Sequence, residues 1–189
     1  MARVLVPLAQ GCEELEAITI IDLLRRAGIE VVSAGLDEQV VTASRGTRLL
    51  PDTTLDEALD DDFDMIVLPG GLPGADHLDQ DPRIHQLLER MAANGRYVAA
   101  ICAAPKVLAS SGLLAGRRAT SYPGVLDAIP FTDIQVSRQA VEIDDRIITS
   151  RGPGTAMDFA LALIEKLVGA DTRQQVEKGL VRAPCAPTA

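Results

Sequence analysis

A thiol set between a strand-like run and the start of a helix is the most chemically suggestive feature of this sequence. Tyr97-Val98-Ala99-Ala100-Ile101 is a short apolar run of strand type, Cys102 follows it, and Pro105-Lys106-Val107-Leu108-Ala109 reads as the first turns of a helix. Proline suits that position because its missing N–H would go unpaired there in any case. A strand, a sharp turn bearing a nucleophile and a helix together make a nucleophile elbow. The small residues around Cys102 let the backbone turn tightly and leave the sulfur reachable, and a helix N-terminus behind it favours the thiolate. The plain alternative is a buried cysteine that acts as a small hydrophobe.

Glu16 is the second residue with chemical promise. On a helix running from Glu13 to Ala27, Glu16 shares a row with Ile20, Leu23 and Ala27, whereas Glu14 shares one with Asp22, Arg25 and Arg26. Glu16 is thus a carboxyl group on an apolar face, where burial disfavours its charged form and raises its pKa. A neutral carboxyl donates a hydrogen bond, and a thiolate accepts one well. Pairing Glu16 with Cys102 would lower the thiol pKa while the acid keeps its proton. The competing reading is a first-turn glutamate that caps its own helix.

Pro69-Gly70-Gly71-Leu72-Pro73-Gly74 has the spacing of neither a P-loop nor a dinucleotide fingerprint. Its glycines allow backbone N–H groups to face a ligand, which suits an oxyanion pocket, or they simply make a tight strand-to-helix connection. Arg151-Gly152-Pro153-Gly154-Thr155 before an apolar helix is a weaker anion nest of the same kind. The only histidines, His77 and His85, both precede Cys102. His77 reads as a loop residue and His85 as the solvent margin of a helix, so a Cys-His hydrolase is not expected. Cys12 and Cys185 look secondary.

The elements that would position these residues alternate. Continuous apolar runs at Arg3 to Leu8, Ile29 to Ala34, Met65 to Leu68 and Tyr97 to Ile101 read as strands covered on both faces. Helices are expected over Glu13 to Ala27, from Pro82 to Asn94-Gly95, from Pro105, over Ala156 to Val168 and over Thr172 to Leu180. Gln39 to Ala43 with Thr47 to Leu50 suggests a hairpin, and Ala119 to Tyr122, Ile134 to Val136, Val141 to Ile143 and Arg146 to Thr149 are short strand candidates. Alternating buried strands and helices imply an α/β fold, a mostly parallel sheet with helices on both faces. In such sheets ligands bind at the carboxyl ends of the strands. Gln10 to Glu16, Pro69 to Gly74, Cys102-Ala103 and Gly152 to Gly154 all fall at that edge, and their convergence argues more strongly than any one of them.

The length of 189 residues fits one domain, expected over 1–182, with a loose Ala/Pro-rich tail over 183–189. Eighteen Lys and Arg against 27 Asp and Glu give a formal charge of −9, which speaks against nucleic-acid binding by a basic face and against attachment to anionic lipid. The three scattered cysteines make neither a disulfide framework nor a metal-binding spacing and suit a reducing compartment. The apolar run from Val4 to Ala9 meets acidic residues at once and does not read as a signal peptide, and no stretch approaches a membrane span. A cytoplasmic protein is expected.

The sequence resembles the ThiJ/PfpI superfamily, in its protein-deglycase branch, over nearly its whole length. The resemblance is carried by Gly11-Cys12-Glu13-Glu14-Leu15-Glu16, Asp22 to Gly28, Leu68 to Gly71, Ala99 to Pro105 and Ser150 to Thr155. It implies a flavodoxin-like three-layer sandwich and a homodimer. It also implies Cys102 as nucleophile, Glu16 as its protonated partner, and an oxyanion and substrate pocket at Gly70, Gly71, Ala103, Tyr122 and Pro153. Arg26, Arg45 and Glu13 are placed by the resemblance near the dimer interface and the rim of the site, with no metal and no cofactor. Two departures stand out. Tyr122 occupies a position where the branch has a pocket histidine, and Ala103 stands where protease-like relatives carry a histidine.

The implied activity is cofactor-independent conversion of methylglyoxal to lactate, or deglycation of early adducts, through the reactive cysteine. The implied partners are a small aldehyde substrate or a glycated protein, and the implied role is protection against oxidative stress. The other reading is a redox-sensing holdase chaperone without significant catalysis.

Overall fold

In the computed structural model, which describes residues 1–129 and 133–182, the chain runs through eleven strands and seven helices. In order these are β1 (Arg3–Leu8), α1 (Glu14–Arg26), β2 (Glu30–Gly35), β3 (Val41–Thr42), β4 (Arg48–Leu49), β5 (Thr53–Thr54) and α2 (Leu55–Ala58). There follow β6 (Met65–Leu68), α3 (Gly74–Gln80), α4 (Pro82–Ala93), β7 (Tyr97–Ile101), α5 (Pro105–Ser110), β8 (Arg118–Ala119) and β9 (Gln135–Val136). The chain then forms β10 (Val141–Asp144), β11 (Ile147–Ser150), a 3-10 turn at Pro153–Thr155, α6 (Ala156–Val168) and α7 (Ala170–Gly179). The tail at 183–189, with Cys185, lies outside the described residues.

The main sheet has seven strands in the order β10-β11-β7-β6-β1-β2-β5. All neighbours are parallel except β10 and β11, which form a hairpin at one edge. The period of two along a strand explains why these segments are apolar throughout rather than alternating. Val4, Val6 and Leu8 of β1 enter one core together with Ile20 and Leu24 of α1 and Phe159, Leu163 and Ile164 of α6. Leu5 enters the opposite core, with Leu87 and Leu88 of α4 and Val107 and Leu108 of α5. β6 and β7 divide in the same way, Met65, Val67, Ala99 and Ile101 to the first face and Ile66, Leu68, Val98 and Ala100 to the second. This is the three-layer, flavodoxin-like arrangement the sequence implies. No helix among the described residues is long and apolar enough to cross a membrane.

Several segments differ from the sequence reading. Residues 74–80 form α3, a helix concealed by the glycines and prolines that precede it, so His77 is helical rather than in a loop. α2 was not anticipated, although Thr54 and Glu57 make a capping box that closes reciprocally on its first turn. The candidate strand from Ala119 shortens to β8, which pairs with β9 in a separate two-stranded sheet and does not extend the main one. The expected hairpin is present as β3 and β4 around Ser44-Arg45-Gly46.

Candidate active site

β7 carries the chain to the carboxyl edge of the sheet, and the next residue, Cys102, turns it. Its φ of 64° lies in the left-handed region, which costs a residue with a Cβ roughly 1–2 kcal/mol. The turn is pinned from both sides. The Cys102 N–H donates to the Ser150 carbonyl of β11 at 3.0 Å, and the Cys102 carbonyl accepts from the Tyr122 N–H at 2.8 Å. The elbow expected from the sequence is therefore present, with a sulfur-bearing residue only 8% exposed.

Glu16 reaches this sulfur because another residue caps its helix. Glu13 is the N-cap of α1, its Oε2 accepting from the Glu16 N–H at 2.8 Å. The capping role considered for Glu16 thus belongs to Glu13, and the Glu16 side chain points inward, fully buried. Its Oε2 accepts from the Gly70 N–H at 2.9 Å. Its Oε1 has no hydrogen-bond partner among the described residues, while Cys102 is its neighbour across Gly70 and pulls its pKa down. Oε1 is accordingly the carboxyl oxygen left free to hold a proton.

The glycine turn after β6 closes the site from the other side, and close approach explains its composition. A Cβ on Gly70 would lie 2.6 Å from Cys102 Cβ and 2.8 Å from Glu16 Oε2. One on Gly71, whose φ is 91°, would lie 2.4 Å from the backbone nitrogen of Glu13. The Glu13 N–H donates to the Gly70 carbonyl at 2.9 Å, locking the two loops together. The N–H groups of Gly71 and Ala103 lie beside the Cys102 sulfur and pull its pKa down. Gly70 parts company with them here: grouped with the pocket donors in the sequence, its N–H goes to Glu16 instead.

Burial pushes the Glu16 carboxyl up to about 7, against the pull of the Cys102 and Gly70 hydrogen bonds. Burial also pushes the Cys102 thiol up, to about 12, and the negative charge of an ionised Glu16 adds to this, while the N–H groups of Gly71 and Ala103 pull down. The lowered thiol pKa expected from the sequence is therefore not met while Glu16 is ionised. Once Glu16 holds its proton the repulsion becomes a donated hydrogen bond, and three donors oppose burial alone. The helix behind the sulfur contributes less than expected, since α5 has only six residues. Cys12 is likewise pushed up to about 12, by burial and then by Glu14 and Glu13, with only its own backbone opposing.

Above the sulfur lies a cavity of about 430 Å³, lined by Glu13, Arg45, Gly71, Ala103, Tyr122 and Pro153 as the sequence proposes. Ser44, Leu72 and Val125 line it as well. The first two stand beside residues already singled out, whereas Val125 carries no signal in its own sequence context. Arg26 is not brought here. It is exposed in the last turn of α1, where its Nε donates to Asp22 Oδ2 at 2.7 Å.

The two histidines are half-buried rather than exposed, and both are engaged elsewhere. His77 Nδ1 lies 2.8 Å from the Gln10 carbonyl, and His85 lies between Ser111 Oγ and the Asp79 carbonyl, 2.7 Å from each. A larger groove of about 530 Å³, lined in part by Gln10, Asp37, His77 and Arg83, contains no cysteine. No group of three or more His, Cys, Asp or Glu side chains among the described residues is placed to hold a metal ion. The arrangement around Cys102 can thus supply a sulfur nucleophile, a carboxyl group that exchanges a proton near neutral pH, and two N–H donors for a developing negative charge.

A family model described as the DJ-1/PfpI family matches residues 2–166. The chain is 45% identical over 180 residues to Protein dj-1beta of Drosophila melanogaster, covering 95% of this chain and 96% of the relative. It is 37% identical over 182 residues to a Caenorhabditis elegans protein named Glutathione-independent glyoxalase DJR-1.2, covering 96% of each. The crystal structure of Drosophila melanogaster DJ-1beta superposes with a TM-score of 0.93 at 43% identity, over 97% of this chain and 99% of that one.

Proposed function

The chain belongs to the DJ-1/PfpI family, and from that premise we propose that it is a cofactor-independent glyoxalase that converts 2-oxoaldehydes to 2-hydroxy acids. Methylglyoxal would give lactate, and the same chemistry extends to early glycation adducts on proteins. The observation that carries this reading is a fully buried Glu16 beside Cys102, its Oε1 without a hydrogen-bond partner among the described residues and its carboxyl pushed up to about 7. The relative named as a glutathione-independent glyoxalase supports it.

The geometry suggests the following course. The Cys102 sulfur adds to the aldehyde carbon, and the oxygen takes up a proton, giving a hemithioacetal with that oxygen near the Gly71 and Ala103 N–H groups. Glu16, now a carboxylate, removes the proton from the former aldehyde carbon and returns it to the neighbouring carbon, while the hydroxyl proton passes from the first oxygen to the neighbouring one. The former aldehyde carbon is oxidised and its neighbour reduced, so no external oxidant is needed, and the product is a thioester of the 2-hydroxy acid. Water cleaves the carbon–sulfur bond, releasing the acid and a proton and restoring the thiol.

The deciding assay measures lactate from methylglyoxal with wild type and Cys102→Ser, in preparations freed of trace glyoxalases. Equal turnover by the two would end the proposal.

The same sulfur is the group an oxidant attacks, and protection against oxidative stress in the cytoplasm is part of the proposal. Mild peroxide is expected to add two oxygens at Cys102, as the sulfinic acid, held by the N–H donors and the Glu16 proton. A Cys12–Cys102 disulfide as the main product on intact-mass analysis would contradict the assigned surroundings. A homodimer is part of the proposal, supported by Leu15 and Ile18, which lie exposed three residues apart on α1. A holdase role is the second reading supported by the same exposed apolar face. An Ile18→Asp variant that stays dimeric in solution would remove that face from the dimer interface, and one that still suppresses aggregation of an unfolded client as wild type does would remove it from the holdase role.

A further inference from the structure

The cavity above Cys102 is much larger than the smallest substrate of this class requires. Methylglyoxal has about five non-hydrogen atoms, and even at the roughly 30 Å³ that a molecule of liquid water occupies they come to about 150 Å³. The cavity measures about 430 Å³, inside the range of roughly 300–1,000 Å³ that takes drug-sized ligands. With methylglyoxal bound, most of that space would still hold water.

Its walls are of two kinds. Glu13, Ser44 and Arg45 form a polar part, and the Arg45 guanidinium has no ion-pair partner among the described residues. Leu72, Tyr122, Val125 and Pro153 form an apolar part. Leu72 and Tyr122 are 60% and 51% exposed, so two large apolar side chains border a cavity that contains a nucleophile. The Tyr122 ring is also held in place. Its backbone N–H donates to the Cys102 carbonyl, and its ring lies over Gly152, where an added Cβ would meet Cδ2 at 3.3 Å.

We propose that Tyr122, with Leu72 beside it, is a specificity-determining wall that selects 2-oxoaldehydes bearing a bulky apolar group, an aryl or branched alkyl chain, over methylglyoxal. The proposal rests on the glyoxalase reading and deepens it. The dicarbonyl end sits at the sulfur and its N–H donors, the oxygens face the polar part, and the apolar group covers the Tyr122 ring and Leu72, removing their exposed surface from water. With an aryl group the reaction is phenylglyoxal plus water giving mandelate and a proton, by the same bond changes as for methylglyoxal.

Initial rates with phenylglyoxal and methylglyoxal test this. Wild type is expected to favour phenylglyoxal in kcat/KM by about 10-fold or more, the least that one added methylene contributes in a fitted pocket. Tyr122→Ala should remove most of that ratio, Leu72→Ala part of it, and Tyr122→Phe, which keeps the ring, should preserve it. Wild type that treats the two substrates alike, or a ratio untouched by Tyr122→Ala, overturns the proposal. A ratio lost equally in Tyr122→Phe assigns the effect to the hydroxyl and likewise overturns it.

Binding to Cys102→Ser separates this from the reaction itself. By titration calorimetry that variant should bind mandelate about 10-fold more tightly than lactate, and equal binding refutes the apolar wall whatever the turnover. Tighter mandelate binding without turnover of either aldehyde by wild type would sink the glyoxalase reading and leave the preference of the pocket standing.

Discussion

Glu16 and Cys102 titrate as a pair, and the pair determines when a reactive sulfur exists. With the carboxyl pushed up to about 7 and the thiol to about 12, the first proton leaves near 7. Between those values one proton is shared, and the form with the proton on Oε1 carries a thiolate. Iodoacetamide labelling of Cys102 is therefore expected to rise with a midpoint near 7 and then level off, with Cys12 inert over the same range because only its own backbone opposes its burial and the charges of Glu14 and Glu13. A Cys102 labelling rate that climbs steadily from pH 8 upward without an earlier step would show that no proton is shared. Glu16→Gln keeps a donor beside the sulfur but has no proton to give up, so its midpoint should move up toward the ordinary thiol range while turnover drops by about 10²–10⁴-fold, the usual cost of losing a general acid–base group. Glu16→Leu removes the donor too and should also slow peroxide oxidation. Because Glu13 and not Glu16 caps α1, wild-type-like turnover in Glu16→Leu cannot be attributed to a retained cap and would remove Glu16 from catalysis.

At the scale of elements, the site depends on three loop segments meeting without room between them. A methyl group on Gly71 would strike the backbone nitrogen of Glu13, in a region of φ that disfavours any side chain. Gly71→Ala is therefore expected to displace the α1 N-cap and the glycine turn together, with a stability loss of at least about 1 kcal/mol and loss of turnover. Gly124→Ala is the control, since its φ is also positive but nothing lies within 4 Å of its added carbon. If Gly71→Ala melts and turns over like Gly124→Ala, the close approach is not what fixes the glycine. These relations also show what the sequence could reveal. Cys102, Glu16 and the buried strands were legible because apolar runs, helical rows and a proline after small residues leave local signatures. The destination of the Gly70 N–H was not, because it depends on how closely the loop after β6 approaches α1, and no spacing within either segment records that. Nor was the upward push on Cys102, which comes from its burial in the core under α1 and α6 and from the neighbouring Glu16. α3 was lost to the opposite problem, a strong local turn signal in Leu72-Pro73-Gly74 that masks the helix starting at its last residue.

For the molecule as a whole, Glu16 ties catalysis to stability. The folded chain holds its proton up to about 7, whereas the unfolded chain releases it near 4.5. A carboxyl raised in this way contributes stability that is fully present below 4.5 and is lost as pH rises to about 7. The difference amounts to on the order of 3 kcal/mol, a large part of the roughly 5–15 kcal/mol that holds a domain together. Asp52, Asp81 and Asp144 act in the opposite sense. Their pKa values are lowered in the fold, so what they contribute is present above the ordinary carboxylate range and lost as pH falls through it. The two groups of carboxyls act on opposite sides, the aspartates' contribution failing in acid and the Glu16 contribution failing as pH rises toward 7. Urea unfolding of wild type and Glu16→Gln at pH 5 and pH 8 isolates that residue, because every other titrating group is common to both. Wild type is expected to lose more stability than Glu16→Gln between the two pH values, by an amount on the order of 3 kcal/mol, since glutamine has no proton to release. Parallel losses in the two proteins would mean that Glu16 ionises in the fold as readily as it does in the unfolded chain, and the proton-sharing pair would then have no basis.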